Sequence, residues 1–212
     1  MNLRLAVFAS GRGSNFQAIL QAINENRLRA SVAMLITDKP DAWALQFARH
    51  AGIVTEFLTR KNFSHENDYE RALLQAVKRS AANFIVLAGY LSKIPLALVQ
   101  EFRGRMINIH PALLPSFGGK GMYGRRVHQA VLDYGCKVSG ATVHLVEEEY
   151  DSGPPILQRC VPVLWNDTAE SLAARVLEVE HQILPEALQL FAGDRVVIDG
   201  RRVRVLPVKN SQ

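Results

Sequence analysis

The chain is poor in the residues that would staple or anchor it. Of its 212 residues only Cys136 and Cys160 are cysteines, they form no C-x-x-C pair, and the six histidines are scattered without zinc-like spacing. A disulfide framework and a metal site are therefore not expected, and a reducing, cytoplasmic setting is the default. No apolar run approaches the roughly 20 residues that a bilayer span needs. The first strand-like run begins within a few residues of Met1, which leaves no room for a signal peptide. No membrane partner is expected. Internal repeats, low-complexity segments and interior linkers are lacking too, so the length suits one large domain with a sizeable core. Long runs of one charge are missing: the net charge is +5, but Lys and Arg are mixed with acids except at Arg103/Arg105, Arg125/Arg126 and Arg201/Arg202/Arg204. Without interleaved basic and aromatic residues, no nucleic-acid groove is expected, and a mildly basic surface serves equally to attract a small anionic substrate.

What is present is an alternation of buried-strand and amphipathic-helix patterns. Residues 3–9 read as a strand, Ser10-Gly-Arg-Gly-Ser-Asn15 as a glycine loop, and Phe16, Ile19, Leu20 and Ile23 as one face of a helix. The free N–H groups at such a helix start attract anions. Phe16 stands where a dinucleotide fingerprint needs its third glycine, although Asp38 sits about where a ribose-binding acid would follow. A monophosphate held by Gly13, Ser14 and Asn15 is the favoured reading, against a plain glycine-rich turn. A second strand at 31–37, a helix to about Ala51, a third strand at 54–58, a helix carrying Tyr69, Leu73, Leu74 and Val77, and a strand at 84–88 continue the alternation. This predicts an α/β fold: a doubly wound, mainly parallel sheet with helices on both faces. The loop 89–94 then follows at the C-terminal edge, and Leu91 and Ile94 either line an apolar slot or pack under the sheet.

The run from Arg105 to Gly119 delivers Asn108 and His110 to a strand end, where Pro111 stops the strand. In an open α/β sheet ligands bind at that end. An amide can donate to a developing oxyanion and an imidazole can move protons near neutral pH, which suits attack on a carbonyl. A strand end with a hydrogen-bonded core histidine is the plain alternative. Four glycines at 118–124 make a loop before a helix at 127–134. In the strand 140–146, Thr142 and His144 share one face. Asp151-Ser-Gly153 is either an ordinary Asx turn or a carboxylate opposite His110 that keeps the imidazole charged. Asp167 with Glu170 suggests a capping box for a long helix with Leu172, Val176, Val179 and Ile183 on its buried stripe, kinked at Pro185. Glu180 and His181 lie off that stripe, facing either ligand or solvent. Residues 195–205 alternate around Asp199-Gly200 as an antiparallel hairpin, and the last few residues are expected to fray.

Taken together, Ser10-Gly-Arg-Gly-Ser-Asn15, Leu87-Ala-Gly-Tyr90, Asn108-Ile-His-Pro-Ala-Leu-Leu-Pro115, Gly140-Ala-Thr-Val-His144 and Asp151-Ser-Gly153 resemble the phosphoribosylglycinamide formyltransferase family, folate-dependent enzymes of purine synthesis. The likeness covers residues 1–192, which would form the formyltransferase domain, with 193–212 as its C-terminal hairpin extension. The resemblance implies 10-formyltetrahydrofolate as co-substrate, glycinamide ribonucleotide as acceptor, no metal, and direct transfer through a tetrahedral intermediate. It implies Asn108, His110 and Asp151 as catalytic residues, and Gly13, Ser14, Asn15 and Glu180 as phosphate and ribose contacts. It further implies Leu91, Ser92, Lys93, Ile94 and Asn108 at the folate, with Thr142 and His144 as supporting residues, in a monomer or homodimer. Two departures stand out: Leu91-Ser92 where many relatives have Met-Arg, and Ser116-Phe-Gly-Gly119 where Ser-Phe-Pro-Gly is usual. An arginine that some relatives carry early in the third helix has no counterpart among His65, Glu66 and Asn67. A methionyl-tRNA formyltransferase would need a further C-terminal domain, and a formyltetrahydrofolate deformylase an N-terminal one. An oxidoreductase is disfavoured by Phe16, and a silent nucleotide-binding module would not need Asn108, His110 and Asp151.

Overall fold

The computed structural model describes residues 2–208. Strand β1 (Leu3–Phe8) buries every residue but Arg4, as a strand covered on both faces must. It is followed by α1 (Ser14–Asn24), β2 (Ala30–Thr37), α2 (Ala44–His50) and the short β3 (Thr55–Phe57). A single 3-10 turn at Arg60–Asn62, which no sequence pattern announced, precedes α3 (Glu66–Arg79), β4 (Phe84–Leu87), α4 (Leu96–Glu101) and β5 (Met106–His110). The chain then runs through α5 (Arg125–Asp133), β6 (Val138–Leu145), β7 (Pro155–Pro162) and the long α6 (Ala169–Ala192) to a hairpin of β8 (Val196–Asp199) and β9 (Arg202–Val205).

The seven-stranded sheet has the order β3-β2-β1-β4-β5-β6-β7. The first five strands are parallel, whereas β6 pairs antiparallel with β5, and β7 with β6. Chain direction across the sheet reverses between β1 and β4, and that switch point opens a crevice beyond their C-terminal ends. Both faces are covered. Leu3, Leu5, Val7, Ile107 and Ile109 share one core with residues of α1, α2, α5 and α6. Ala6, Phe8, Ile85 and Met106 share the other with α3 and α4. The strand alternation therefore places Asn108 and His110 on the α3/α4 face, in register with His144 and Thr142 of β6.

Several local expectations are corrected. The box that opens α6 is formed by Thr168 and Ser171, not by Asp167 and Glu170. Asp167 instead takes a two-pronged ion pair from Arg175, accepts from the Leu164 N–H, and is thereby held well below the usual carboxylate range. Pro185, where a kink is expected, lies inside α6, and the helix runs on past it to Ala192. Glu180 is not on a solvated face: it is 8% exposed, against α1. In the hairpin Asp199 pairs with Arg202, so Gly200 and Arg201 form the turn. Residues 209–212, expected to fray, lie outside the described residues.

Candidate active site

Two stretches of backbone frame the crevice. The first is the glycine loop. Gly13 adopts φ 74°, and a Cβ there would come within 2.8 Å of Ala44 Cα. Helix α1 opens with no side-chain cap and no acid in its first turn, which leaves its leading N–H groups for an external anion. Ser14 is half-buried beside Gly13. Asn15 is turned elsewhere: its Nδ2 donates to Glu180 Oε2 at 2.6 Å, while its Oδ1 is buried without a partner. Burial pushes the Glu180 carboxyl up to about 7, and the Asn15 hydrogen bond pulls against that rise. The second stretch, loop 89–94, is joined to the first, because Ser10 N donates to the Gly89 carbonyl and Ser10 Oγ accepts from Leu91 N. Leu91 is half-exposed, whereas Ile94 belongs to the core under the sheet, so the expected apolar slot has only one of its two walls at the surface.

The side-chain cluster forms where β5 meets β6 and the acidic turn 147–154 folds back over them. That fold-back requires Gly153, since any Cβ there would collide with the Leu145 carbonyl. It carries Asp151, in the left-handed region at φ 54°, to both histidines. Asp151 Oδ2 lies 3.5 Å from His110 Nδ1, and Oδ1 lies 3.5 Å from His144 Nε2. The Gly119 N–H donates to Oδ2 at 2.8 Å. Asn108 Nδ2 is 3.0 Å from His144 Nε2 and 3.5 Å from Asp151 Oδ1. The far sides of the rings are fixed by main-chain acceptors: His110 Nε2 donates to the Phe117 carbonyl at 2.8 Å, and His144 Nδ1 to that of Leu145 at 2.8 Å. In neutral rings these bonds leave His110 Nδ1 and His144 Nε2 as the atoms that face Asp151. Thr142 is buried one pair away, donating to the Ala112 carbonyl and accepting from Leu114 N and Gln158 Nε2, so it pins the turn after β5.

Electrostatics overturn one expectation. Burial lowers the His110 pKa, and the Asp151 charge and the Phe117 carbonyl only partly offset it, with His144 adding to the fall. In the free protein the imidazole is therefore neutral at pH 7, not held as imidazolium. Asp151 itself stays below the ordinary carboxylate range: burial pushes it up, but the bonds and charges of His144, His110 and Gly119 together outweigh that push. The carboxylate is thus the permanent charge of the cluster. His128 of α5 was missed by sequence reasoning. It is buried, its Nδ1 has no partner, and its pKa is lowered by burial and by the nearby His110. Its only sequence signal is a histidine on an apolar helical stripe, which ordinarily means core. Phe117 and Gly119 were invisible for another reason: they act through main-chain atoms. Among the described residues no cluster suited to a metal ion is present.

A sheet with a glycine loop at its switch point and an Asn, His and Asp cluster beside it defines a class, and the comparison with known families agrees. Residues 3–188 match the formyl transferase family, and the chain belongs to it. Its relatives within that family include phosphoribosylglycinamide formyltransferases. The enzyme of that name from Escherichia coli is 36% identical over 95% of this chain and 96% of its own. The chloroplastic enzyme from Vigna unguiculata is 43% identical over 92% of this chain, which spans 62% of that longer relative. Among solved structures, glycinamide ribonucleotide transformylase 1 from Symbiobacterium toebii superposes with a TM-score of 0.92 at 40% identity, covering 97% of this chain and 95% of its own. No helix among the described residues is long and apolar enough to cross a membrane.

Proposed function

We propose that this chain transfers the formyl group of 10-formyltetrahydrofolate to the primary amine of glycinamide ribonucleotide, a step of purine synthesis. The observation that carries the reading is the convergence of Asn108, His110 and Asp151 within hydrogen-bonding or ion-pair reach beside an uncapped helix start. The phosphate docks on the N–H groups at Gly13, Ser14 and Asn15, with Glu180 at the ribose, and the folate lies along Leu91, Ser92, Lys93 and Ile94. The acceptor amine attacks the formyl carbon, the C=O electrons move onto oxygen, and Asn108 Nδ2 donates to that oxyanion. The attacking nitrogen releases a proton toward Asp151. Asp151 passes that proton to His110, neutral at rest, and the imidazolium so formed delivers it to the folate nitrogen as the oxyanion reforms C=O and the C–N bond to folate breaks. Thr142 and His144 hold these groups in place.

The test is a spectroscopic assay that follows the folate product with glycinamide ribonucleotide, initiator methionyl-tRNA or water as acceptor. Turnover dependent on the ribonucleotide supports the reading. Turnover with water alone would replace it with a deformylase, the activity named for a Pseudomonas syringae structure that superposes at a TM-score of 0.88 and 25% identity over 98% of this chain.

A further inference from the structure

Two side-chain hydrogen bonds that the chemical step does not use help hold loop 89–94. Ser92 Oγ donates its proton to Asp38 Oδ2 at 2.6 Å. The Tyr90 hydroxyl, two residues earlier in the loop, shares a 3.2 Å hydrogen bond with that of Tyr69. Asp38, Tyr69 and Tyr90 are 8%, 2% and 9% exposed, and the second carboxyl oxygen of Asp38 is buried without a partner. Burial pushes the Tyr90 hydroxyl far up, with Tyr69 and Asp38 adding to the shift, so it remains protonated. The three elements joined are α3, the loop after β4 and the end of β2. On its other side the loop reaches the acidic turn, where Lys93 Nζ lies 5.9 Å from the centre of the Tyr150 ring.

We infer that Asp38 and Ser92 are positioning residues that set the loop 89–94 for the formyl donor, and that the Ser92 hydroxyl is not itself a ligand contact. The inference rests on the proposed folate site. Asp38, placed by sequence where a ribose-binding acid would follow, is spent on its own protein. The short side chain of Ser92 is what lets the loop be tied inward to Asp38. Order in the loop is then fixed before the donor arrives, which lowers the entropic cost of binding.

Because the loop meets the donor and not the acceptor, its loosening should split the kinetic constants. With each substrate varied at saturating concentration of the other, Ser92→Ala should raise the donor KM about tenfold, the scale of one buried hydrogen bond. The nucleotide KM and kcat should change by less than about twofold, a split that marks lost uniform binding. Ser92→Thr, which keeps the hydroxyl, should recover most of the donor affinity. Tyr90→Phe, which removes the bond to Tyr69 but leaves the Asp38 bond, should give a smaller rise of about threefold. Equilibrium binding of 5-formyltetrahydrofolate, read by intrinsic fluorescence, should weaken in the same order. An unchanged donor KM in Ser92→Ala overturns the inference, as does a rise of both KM values together with a lowered Tm, which would mark a merely structural role. If the wild-type protein transfers no formyl group, the functional reading fails, while the binding series still decides whether this loop is a folate site set by Ser92.

Discussion

The two parts of the site solve one geometric problem in opposite ways. At the glycine loop the left-handed residue is Gly13, φ 74°, and at the acidic turn it is Asp151, φ 54°. Glycine enters that region at no steric cost, and the loop can use it because binding there falls to main-chain N–H groups. The acidic turn cannot, since the work falls to a carboxylate. It accepts a side chain in a sparsely populated conformation and holds it with the Gly119 N–H and the two histidines. Where the backbone is the ligand, sequence selects for the absence of a side chain; where a side chain is the reagent, neighbours hold the strained backbone in place.

Exchanging the two requirements should break them differently. The largest effect is expected at Gly13→Val. Besides the positive φ, its Cβ would meet the Ala44 main chain at 2.8 Å and Ala44 Cβ at 2.9 Å. A loss of about 4 kcal/mol or more is expected, enough for the variant to be recovered largely unfolded by circular dichroism. It is therefore a test of packing, not a clean probe of phosphate affinity. Asp151→Asn should do the reverse, melting within a few degrees of the wild type while kcat drops on the order of 100-fold. NMR titration should also find the His110 pKa lower still, because the one charge that offsets burial is gone. Wild-type kcat with an unmoved titration would reduce Asp151 to a turn residue.

Smaller changes sharpen the same contrast. Thr142→Val strands the Ala112 carbonyl and the Leu114 N–H beneath the cluster, and calorimetry should find a loss of about 2 kcal/mol. Glu180→Gln should alter a slope instead of a height. The folded carboxyl titrates near 7 against an ordinary value of 4.5, so between those values the folded state binds more protons than the unfolded state. Stability of the wild type should therefore fall as pH rises through that window. The glutamine variant, which still offers Asn15 an acceptor, should be flatter there in urea melts at a series of pH values; an unchanged slope would mean that Glu180 does not carry it.

Elements with strong local signals were legible in the sequence. Apolar runs covered on both faces marked β1, β2 and β4, and the stripe of Leu172, Val176, Val179 and Ile183 marked α6. Asn108 and His110 could be placed on one face because strand geometry alternates. The misses share a cause. The α6 capping box was assigned to Asp167 because spacing cannot tell which acid is already engaged, and here Arg175 engages it. Whether Glu180 faced ligand or solvent stayed open, because a helical wheel does not reveal that Asn15 of another helix lies against it, 165 residues away in the chain.

What the sequence by itself determined is the set of reagents and the strand ends that carry them: an amide and an imidazole two residues apart, a glycine loop, and an acid before Ser-Gly. Local rules suffice there, because periodicity, proline and glycine act over a few residues. Tertiary structure alone decided their state. The His110 imidazole is neutral because a face of the sheet buries it, and one Asp38 carboxyl oxygen is engaged because Ser92 donates to it. Desolvation and hydrogen bonding between distant residues depend on which elements pack together, and no short-range pattern encodes that.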